Sequence, residues 1–274
     1  MSENPLKQYF RRPAIYFKLP SGGKHYPPGV VNIPPNDELP VYPMTTMDEI
    51  ALRTPDGLYN GASMVRLIKN CIPDILDPWQ LNSIDMDSVV IAIRAASVDG
   101  NLDITSVCPE CNEEGKYGVD LLKMLAEKRD IDYSTPLEIH ELSIKFRPLT
   151  YTETNKNGMR QFEVQKLLNE LVNYENTEQQ QEMFVDGLKK LNELTLDVIA
   201  QTIEYIQTPE SRVDNQTFIR EFLDKCDAKT NNIIKEHSGK LKQQNENKPL
   251  QMKCVNCQHE YQQALVLNNT DFFV

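Results

Sequence analysis

Four cysteines occur as two pairs with the same spacing. Cys108 and Cys111 lie three positions apart, and so do Cys254 and Cys257. Each pair can direct two thiolates from a tight turn toward one point, and two such turns supply the four sulfur ligands of a structural zinc ion. We therefore predict that Cys108, Cys111, Cys254 and Cys257 together hold one Zn²⁺ ion. Iron is an alternative metal, because it also accepts four thiolates.

Two other interpretations of these pairs stay open at this point. A thioredoxin-like thiol–disulfide oxidoreductase would also use a CxxC pair, but it needs the pair at the start of a helix that follows a βαβ strand. Neither pair has that context. The pairs could also be unrelated and metal-free. A metal site with four protein ligands has no open position for water or substrate, so we predict that the protein is not an enzyme.

The other candidate ligands fit a structural role. Cys71 and Cys226 lie on apolar helical stripes, and free cysteine is among the most buried residue types, so we predict that both belong to the core. His259 follows Cys257 by two positions and could replace a thiolate. With four cysteines present, we expect this histidine to be exposed.

The elements that must position the cysteines predict an α+β, helix-rich fold. Its centre is a discontinuous four-cysteine zinc ribbon, closed by the N- and C-terminal halves of the chain and interrupted by a helical insertion. The segment between the pairs is far longer than the usual spacer of such a site. The predicted parts are an extended or β N-terminal arm (1–45), a helical segment (46–99), a zinc-ribbon module (100–120 with 249–274) and an insertion containing a short hairpin followed by a helical bundle (121–248).

Local signals predict the helix starts and the apolar faces. Thr46 and Glu49 have the spacing of a capping box, Thr54 begins a second start signal, and Asp85 is a candidate cap for a helix of apolar residues. Four apolar stripes at helical spacing predict four helices in the insertion. They contain Val164, Leu167, Leu168 and Leu171; Phe184, Leu188 and Leu191; Leu196, Ile199, Ile203 and Ile206; and Ile219, Phe222, Leu223, Cys226 and Ile233.

The net charge and the distribution of apolar residues limit the partners and the cellular locations that we expect. The formal net charge of −11 would repel a phosphate backbone, so a zinc-ribbon nucleic-acid-binding protein is a less favoured alternative. No apolar run approaches the ~20 residues of a membrane-spanning helix. Residues 1–12 lack the apolar core of a secretory signal. We expect a protein of a reducing cytoplasm, where paired cysteines more often bind metal than form structural disulfides.

The sequence contains several distinctive short strings: LPSGGKHY at 19–26, LPVYPMT at 39–45, RTPD at 53–56, DPW at 77–79, IAIR at 91–94 and TSVCPEC at 105–111. Taken together, they resemble the baseplate proteins of T4-like contractile-tailed bacteriophages, in particular the hub subunit or hub assembly group.

This resemblance implies a non-enzymatic structural or assembly role in the central hub of a phage baseplate. The implied partners are other baseplate hub and tail proteins. The implied location is the host cytoplasm during assembly, or the baseplate of the virion tail. The resemblance brings no catalytic residues with it.

Overall fold

The computed structural model describes residues 4–53, 61–98, 100–172, 178–265 and 272. The chain folds as two compact units. Unit 1 consists of Met1–Asp130 and Glu246–Val274, and unit 2 consists of Ile131–Asn245. All four paired cysteines belong to unit 1. The predicted helix start at Thr54 lies outside the described residues.

Unit 1 is built around one buried helix. The consecutive residues Val89, Val90, Ile91, Ala92 and Ile93 are all buried, and a helix that is apolar on every side occupies the centre of a core. This helix is α3. The elements before the first cysteine are β1 (Ile15–Phe17), β2 (Leu39–Val41), α1 (Thr46–Leu52), α2 (Ala62–Cys71) and α3 (Ser83–Ser97), with short 3-10 helices at Pro5–Tyr9 and Pro78–Gln80. Strands β1 and β2 pair in antiparallel orientation.

The predicted caps of α1 and α3 were wrong by a few positions. The capping box of α1 consists of Thr45 and Asp48, because the helix begins one residue earlier than predicted and aspartate occupies the third helical position. Asn82 caps α3 by accepting hydrogen bonds from the backbone N–H groups of Ile84 and Asp85. The carboxylate of Asp85 is therefore free to bond elsewhere in the unit.

Asp85 connects the segment at 19–26 to α3 through hydrogen bonds. Its Oδ1 accepts a hydrogen bond from Ser21 N–H at 2.9 Å, and its Oδ2 accepts hydrogen bonds from the Ser21 hydroxyl and from the Tyr26 hydroxyl at 2.7 Å. Gly23 has φ +78°, and a Cβ there would lie 2.0 Å from Ile33 Cδ1. The Ser-Gly-Gly turn thus requires glycine at this position, and the LPSGGKHY string has a structural explanation.

Two β-hairpins of unit 1 flank the insertion in sequence. In the first, β3 (Asn101–Val107) pairs with β4 (Glu114–Asp120), and in the second, β9 (Leu250–Lys253) pairs with β10 (Glu260–Gln263). The hairpins form separate two-stranded antiparallel sheets. Helix α4 (Leu121–Glu127) follows β4, and Asp120 caps it through Lys123 N–H at 2.9 Å. The first hairpin thus spans residues 101–120 and the second spans residues 250–263.

Unit 2 combines a sheet with four helices among its described residues. The sheet has the order β5-β6-β7-β8, and each neighbouring pair is antiparallel. The elements are β5 (Leu137–Ile139), β6 (Leu142–Phe146), α5 (Tyr151–Val172), α6 (Glu178–Thr202), β7 (Ile203–Gln207), β8 (Arg212–Val213), α7 (Gln216–Lys225) and α8 (Ala228–Asn245).

The third predicted helix of the insertion does not form as a separate helix. Its first half belongs to the long helix α6, and its second half is strand β7. Ile203 and Ile206 are both buried although they lie three positions apart, because the register of β6 against β7 shifts between Lys145 and Phe146. A bulge of this kind inserts an extra residue, so the strand acquires the spacing of a helix face.

Candidate metal centre

Each cysteine pair occupies a six-residue loop at the end of a hairpin, at 108–113 and 254–259. In both loops, the first cysteine donates its backbone N–H across the loop, and its carbonyl accepts a hydrogen bond from the residue after the second cysteine. These bonds are Cys108 N–H to Glu113 O at 2.9 Å, Asn112 N–H to Cys108 O at 2.9 Å, Cys254 N–H to His259 O at 2.9 Å and Gln258 N–H to Cys254 O at 3.1 Å.

Both loops turn through the left-handed region at equivalent positions. Asn112 has φ 56° and Gln258 has φ 63°, each directly after the second cysteine of its pair. This conformation closes the turn so that both thiols of a pair point to the same side. Asparagine adopts it more readily than glutamine, so the second loop carries more backbone strain.

The four sulfur atoms form one compact cluster. All four Sγ atoms lie within 4.8 Å of one another, with Cys108 Sγ 3.7 Å from Cys257 Sγ and Cys111 Sγ 3.6 Å from Cys254 Sγ. Sulfurs held ~2.3 Å from one ion in a tetrahedron would be ~3.8 Å apart. The spacing therefore fits a four-thiolate metal ion, with each of the two close contacts joining one hairpin to the other.

The thiols differ in environment. Cys108 and Cys254 are buried, Cys111 is half-buried and Cys257 is exposed. Hydrogen bonds from the backbone N–H groups of Cys257 and Asn256 lower the pKa of Cys254 to about 7. A backbone hydrogen bond from His259 acts to lower the pKa of Cys257, but partial desolvation of its sulfur and its contacts with the three neighbouring thiols raise it to about 12. Four thiolates this close repel one another, so a cation at their centre is what allows all four to ionise.

The structure separates the remaining candidates from this cluster. Cys71 is fully buried, as predicted, and burial raises its pKa to about 11. Cys226 is only half-buried at the C-terminal end of α7 and does not belong to the cluster. His259 is exposed, as predicted, and its ring stacks on that of Tyr261 with centroids 6.3 Å apart.

A group of polar side chains that was not predicted from the sequence connects the two hairpins near the cysteines. Ser106 and Tyr117 of the first hairpin contact Tyr261 and Gln263 of the second. Each of these residues alternates with exposed residues along its strand, and that alternation was the only signal present in the sequence. It predicts which residues of one strand share a face, but not which residues of the other hairpin they contact.

The fold and the cluster define a class of protein: a mixed α+β chain in which two distant hairpins form one four-cysteine site that could hold a metal ion. The family model described as T4 bacteriophage base plate protein matches residues 13–274. The chain belongs to this family of phage base plate proteins. No curated protein and no solved structure gives a significant match. Among the residues that the structure describes, no helix has the length and hydropathy needed to span a bilayer.

Proposed function

We propose that this chain is a non-enzymatic structural or assembly protein of the central hub of a phage baseplate, with a fold stabilised by one Zn²⁺ ion bound to Cys108, Cys111, Cys254 and Cys257. The observation that carries the proposal is the match to the base plate family over residues 13–274. The match spans both cysteine pairs, and their clustering is what a structural site requires.

The donor set favours a structural ion over a catalytic one. Four cysteine thiolates fill a tetrahedral shell and leave no place for a water or substrate molecule. When bound, the ion would supply a cross-link between the hairpins, and the backbone N–H groups that bond to Cys254 would stabilise its thiolate. Four thiolates also accept iron, so metal analysis of the purified protein must distinguish the two.

The lowered pKa of Cys254 keeps a thiol–disulfide oxidoreductase as a second candidate. A reactive thiol needs both a low pKa and access to its substrate. Here the low-pKa thiol of Cys254 is buried, while the exposed thiol of Cys257 has a raised pKa. Rapid alkylation of one thiol in a metal-free protein would support the enzyme. Thiols that resist alkylation until a chelator is added would support the structural site.

A nucleic-acid-binding ribbon is disfavoured by the charges beside the cysteines. Four acidic side chains at or next to the two loops are exposed: Glu110, Glu113, Glu114 and Glu260. Carboxylates in these positions repel phosphates. We expect no salt-dependent DNA binding in a gel-shift assay, and such binding would contradict this part of the proposal.

The contacts with other baseplate proteins are proposed to involve the arm at 4–18. Its side chains Leu6, Tyr9, Phe10 and Tyr16 are between 58% and 77% exposed, and clustered exposed aromatic residues mark interaction surfaces. The arm has four basic and no acidic residues, although the whole chain has a net charge of −11. This charge distribution fits an acidic, partly apolar surface on a partner protein.

One arginine fixes the end of the arm. Arg11 donates from Nη1 to Pro43 O at 2.6 Å and from Nη2 to Asn70 O at 2.7 Å, and it lies 3.6 Å from Asp48. These bonds attach the arm to the rest of unit 1 at Arg11, so the backbone next to Tyr9 and Phe10 is already placed and less of it has to be ordered on binding.

The test is disruption of the gene in the phage, followed by complementation. We expect loss of the protein to produce heads without tails, and normal tails would contradict the proposal. The double substitution of Tyr9 and Phe10 by serine should fail to restore tails. Leu122→Ser, which alters an exposed apolar residue outside the arm, should restore them.

A further inference from the structure

The two hairpins that carry the cysteines are joined by a chain of polar side chains. The Tyr261 hydroxyl lies 3.3 Å from the Tyr117 hydroxyl and 3.1 Å from Ser106 Oγ. Ser106 in turn donates to Gln263 Oε1 at 3.1 Å. The Tyr261 hydroxyl is directed at both Ser106 Oγ and the Tyr117 hydroxyl, so its single proton is shared between these two acceptors, and Ser106 donates its own proton to Gln263.

Every bond of this chain crosses from one hairpin to the other. Tyr117 belongs to β4 and Ser106 to β3, whereas Tyr261 and Gln263 belong to β10. The hairpins form separate sheets, so strand pairing does not connect them within the described residues. The hydroxyl chain is thus a connection between the hairpins that needs no metal.

The first hairpin has a residue that makes room for this chain. Gly115 pairs with Ser106 across the strands, and a Cβ on Gly115 would lie 2.8 Å from the Tyr117 hydroxyl and 2.9 Å from Tyr117 Cε2. The absence of a side chain lets the Tyr117 ring fold back over the strand. The hydroxyl of Tyr117 then reaches Tyr261.

Ser106 and Tyr261 stand close in sequence to the cysteines. Ser106 precedes Cys108 by two residues, and Tyr261 follows Cys257 by four. Ser106 is buried and Tyr261 is half-buried. Partly desolvated hydrogen bonds in a connected network strengthen one another, so this chain is suited to hold the two cysteine loops in register.

We propose that Tyr261, through its hydroxyl, is a positioning residue for the metal site: the chain from Tyr117 to Gln263 holds the two hairpins together before the ion binds. This inference rests on the proposed metal site. The apparent zinc affinity of such a site is proportional to the fraction of metal-free molecules in which the two hairpins already have the arrangement that binds zinc. Loss of the chain should therefore slow zinc association more than it accelerates zinc dissociation.

The experiment uses the full-length, reduced, metal-free protein and Zn²⁺ delivered from a fluorescent chelator in a stopped-flow instrument. For Tyr261→Phe we expect an association rate and a zinc affinity about tenfold lower than in the wild type, in the range seen for groups that orient metal ligands. The dissociation rate should change less than twofold. Tyr16→Phe, which alters an exposed tyrosine of β1, should leave all three values unchanged.

Two further variants keep the test decisive if Tyr261→Phe folds poorly. Ser106→Ala removes the hydroxyl that bonds to both Tyr261 and Gln263 while leaving Tyr261 in place, so by itself it should slow zinc association as Tyr261→Phe does. Gly115→Ala retains every polar group and displaces only Tyr117, so it should also slow zinc association.

An unchanged zinc affinity in Tyr261→Phe, an effect confined to dissociation, or an equal effect in Tyr16→Phe would each overturn the inference. These results differ from failure of the proposed metal site. In that case the wild-type protein itself would take up no zinc.

Discussion

Removal of the metal should destabilise unit 1 selectively and by a calculable amount. An ion bound to both pairs links Cys111 to Cys254 and so closes the chain between them. Unit 2 lies within this loop and stays folded, so only the segments 112–130 and 246–253 are unfolded chain. Cross-linking a loop with that length of free chain, about 27 residues, stabilises a fold by about 4 kcal/mol in the chain-entropy treatment. We expect chelation under reducing conditions to reduce the free energy of unfolding of unit 1 by about this amount.

The chain contains the probes that this experiment needs. Trp79 is its single tryptophan and belongs to unit 1, so its fluorescence follows that unit. Most of the residues in long helices belong to unit 2, so far-UV circular dichroism mainly follows unit 2. With a slope of about 4 kcal/mol per molar guanidinium, chelation should lower the midpoint of the Trp79 transition by about 1 M. The midpoint followed by circular dichroism should move much less.

Matched cysteine variants provide the control. Cys254→Ser should reproduce the effect of the chelator and abolish any further response to it. Cys226→Ser, at a half-buried thiol outside the cluster, should respond to chelation as the wild type does. Identical Trp79 midpoints of the wild type with and without chelator would refute the cross-link. If Cys254→Ser and Cys226→Ser lowered the midpoint equally, the effect would come from removing any thiol and not from losing the metal.

Three further predictions follow from individual contacts. Burial raises the pKa of Asp85 above its ordinary 3.8, so its charge costs stability above that pKa and the cost disappears as the pH falls. The melting temperature of the wild type relative to that of the uncharged variant Asp85→Asn should therefore rise from pH 7 to pH 4, and a constant difference would contradict this. Gln258→Gly should raise the guanidinium midpoint by the equivalent of about 1 kcal/mol because it relieves the left-handed strain, and Asn112→Gly should gain less. Burial acts to raise the pKa of Glu153, but hydrogen bonds from Arg147 and Thr150 hold it below its ordinary 4.5. The stability that the Glu153 carboxylate contributes is therefore present above pH 4.5 and is lost as the pH falls through the folded pKa. Denaturation at several pH values should show that Glu153→Gln lowers the free energy of unfolding by about 1–2 kcal/mol at pH 7 and does not lower it below the folded pKa.

The parts of the fold that depend on neighbouring residues were predictable from the sequence. The spacing of Cys108 and Cys111, repeated in the second pair, predicted two similar turns. Each turn depends only on the residues next to it, as its backbone hydrogen bonds within the loop show. Helical periodicity identified α5 for the same reason. The single helix predicted from Ile219 to Ile233 was wrong, because the chain leaves the helical conformation at Cys226 and forms two helices, α7 and α8.

The predictions were wrong where a contact with a residue distant in sequence determines the local structure. Asp85 resembles a cap in sequence, but its partners are Ser21 and Tyr26, which no local pattern connects to it. Ile203 and Ile206 have helical spacing, but pairing with β6 makes them part of a strand with a bulge. Tertiary contacts override local preference in such cases. The hydroxyl chain through Tyr261 was missed for the same reason.

X-ray absorption at the zinc edge of the purified protein can establish whether the two hairpins share one ion, because it reports the number and type of atoms bound to that ion. We expect one zinc ion per chain surrounded by four sulfur atoms at about 2.3 Å. Two sulfur atoms completed by nitrogen or oxygen ligands would mean that each cysteine pair binds alone, and would contradict a single site shared by the two hairpins.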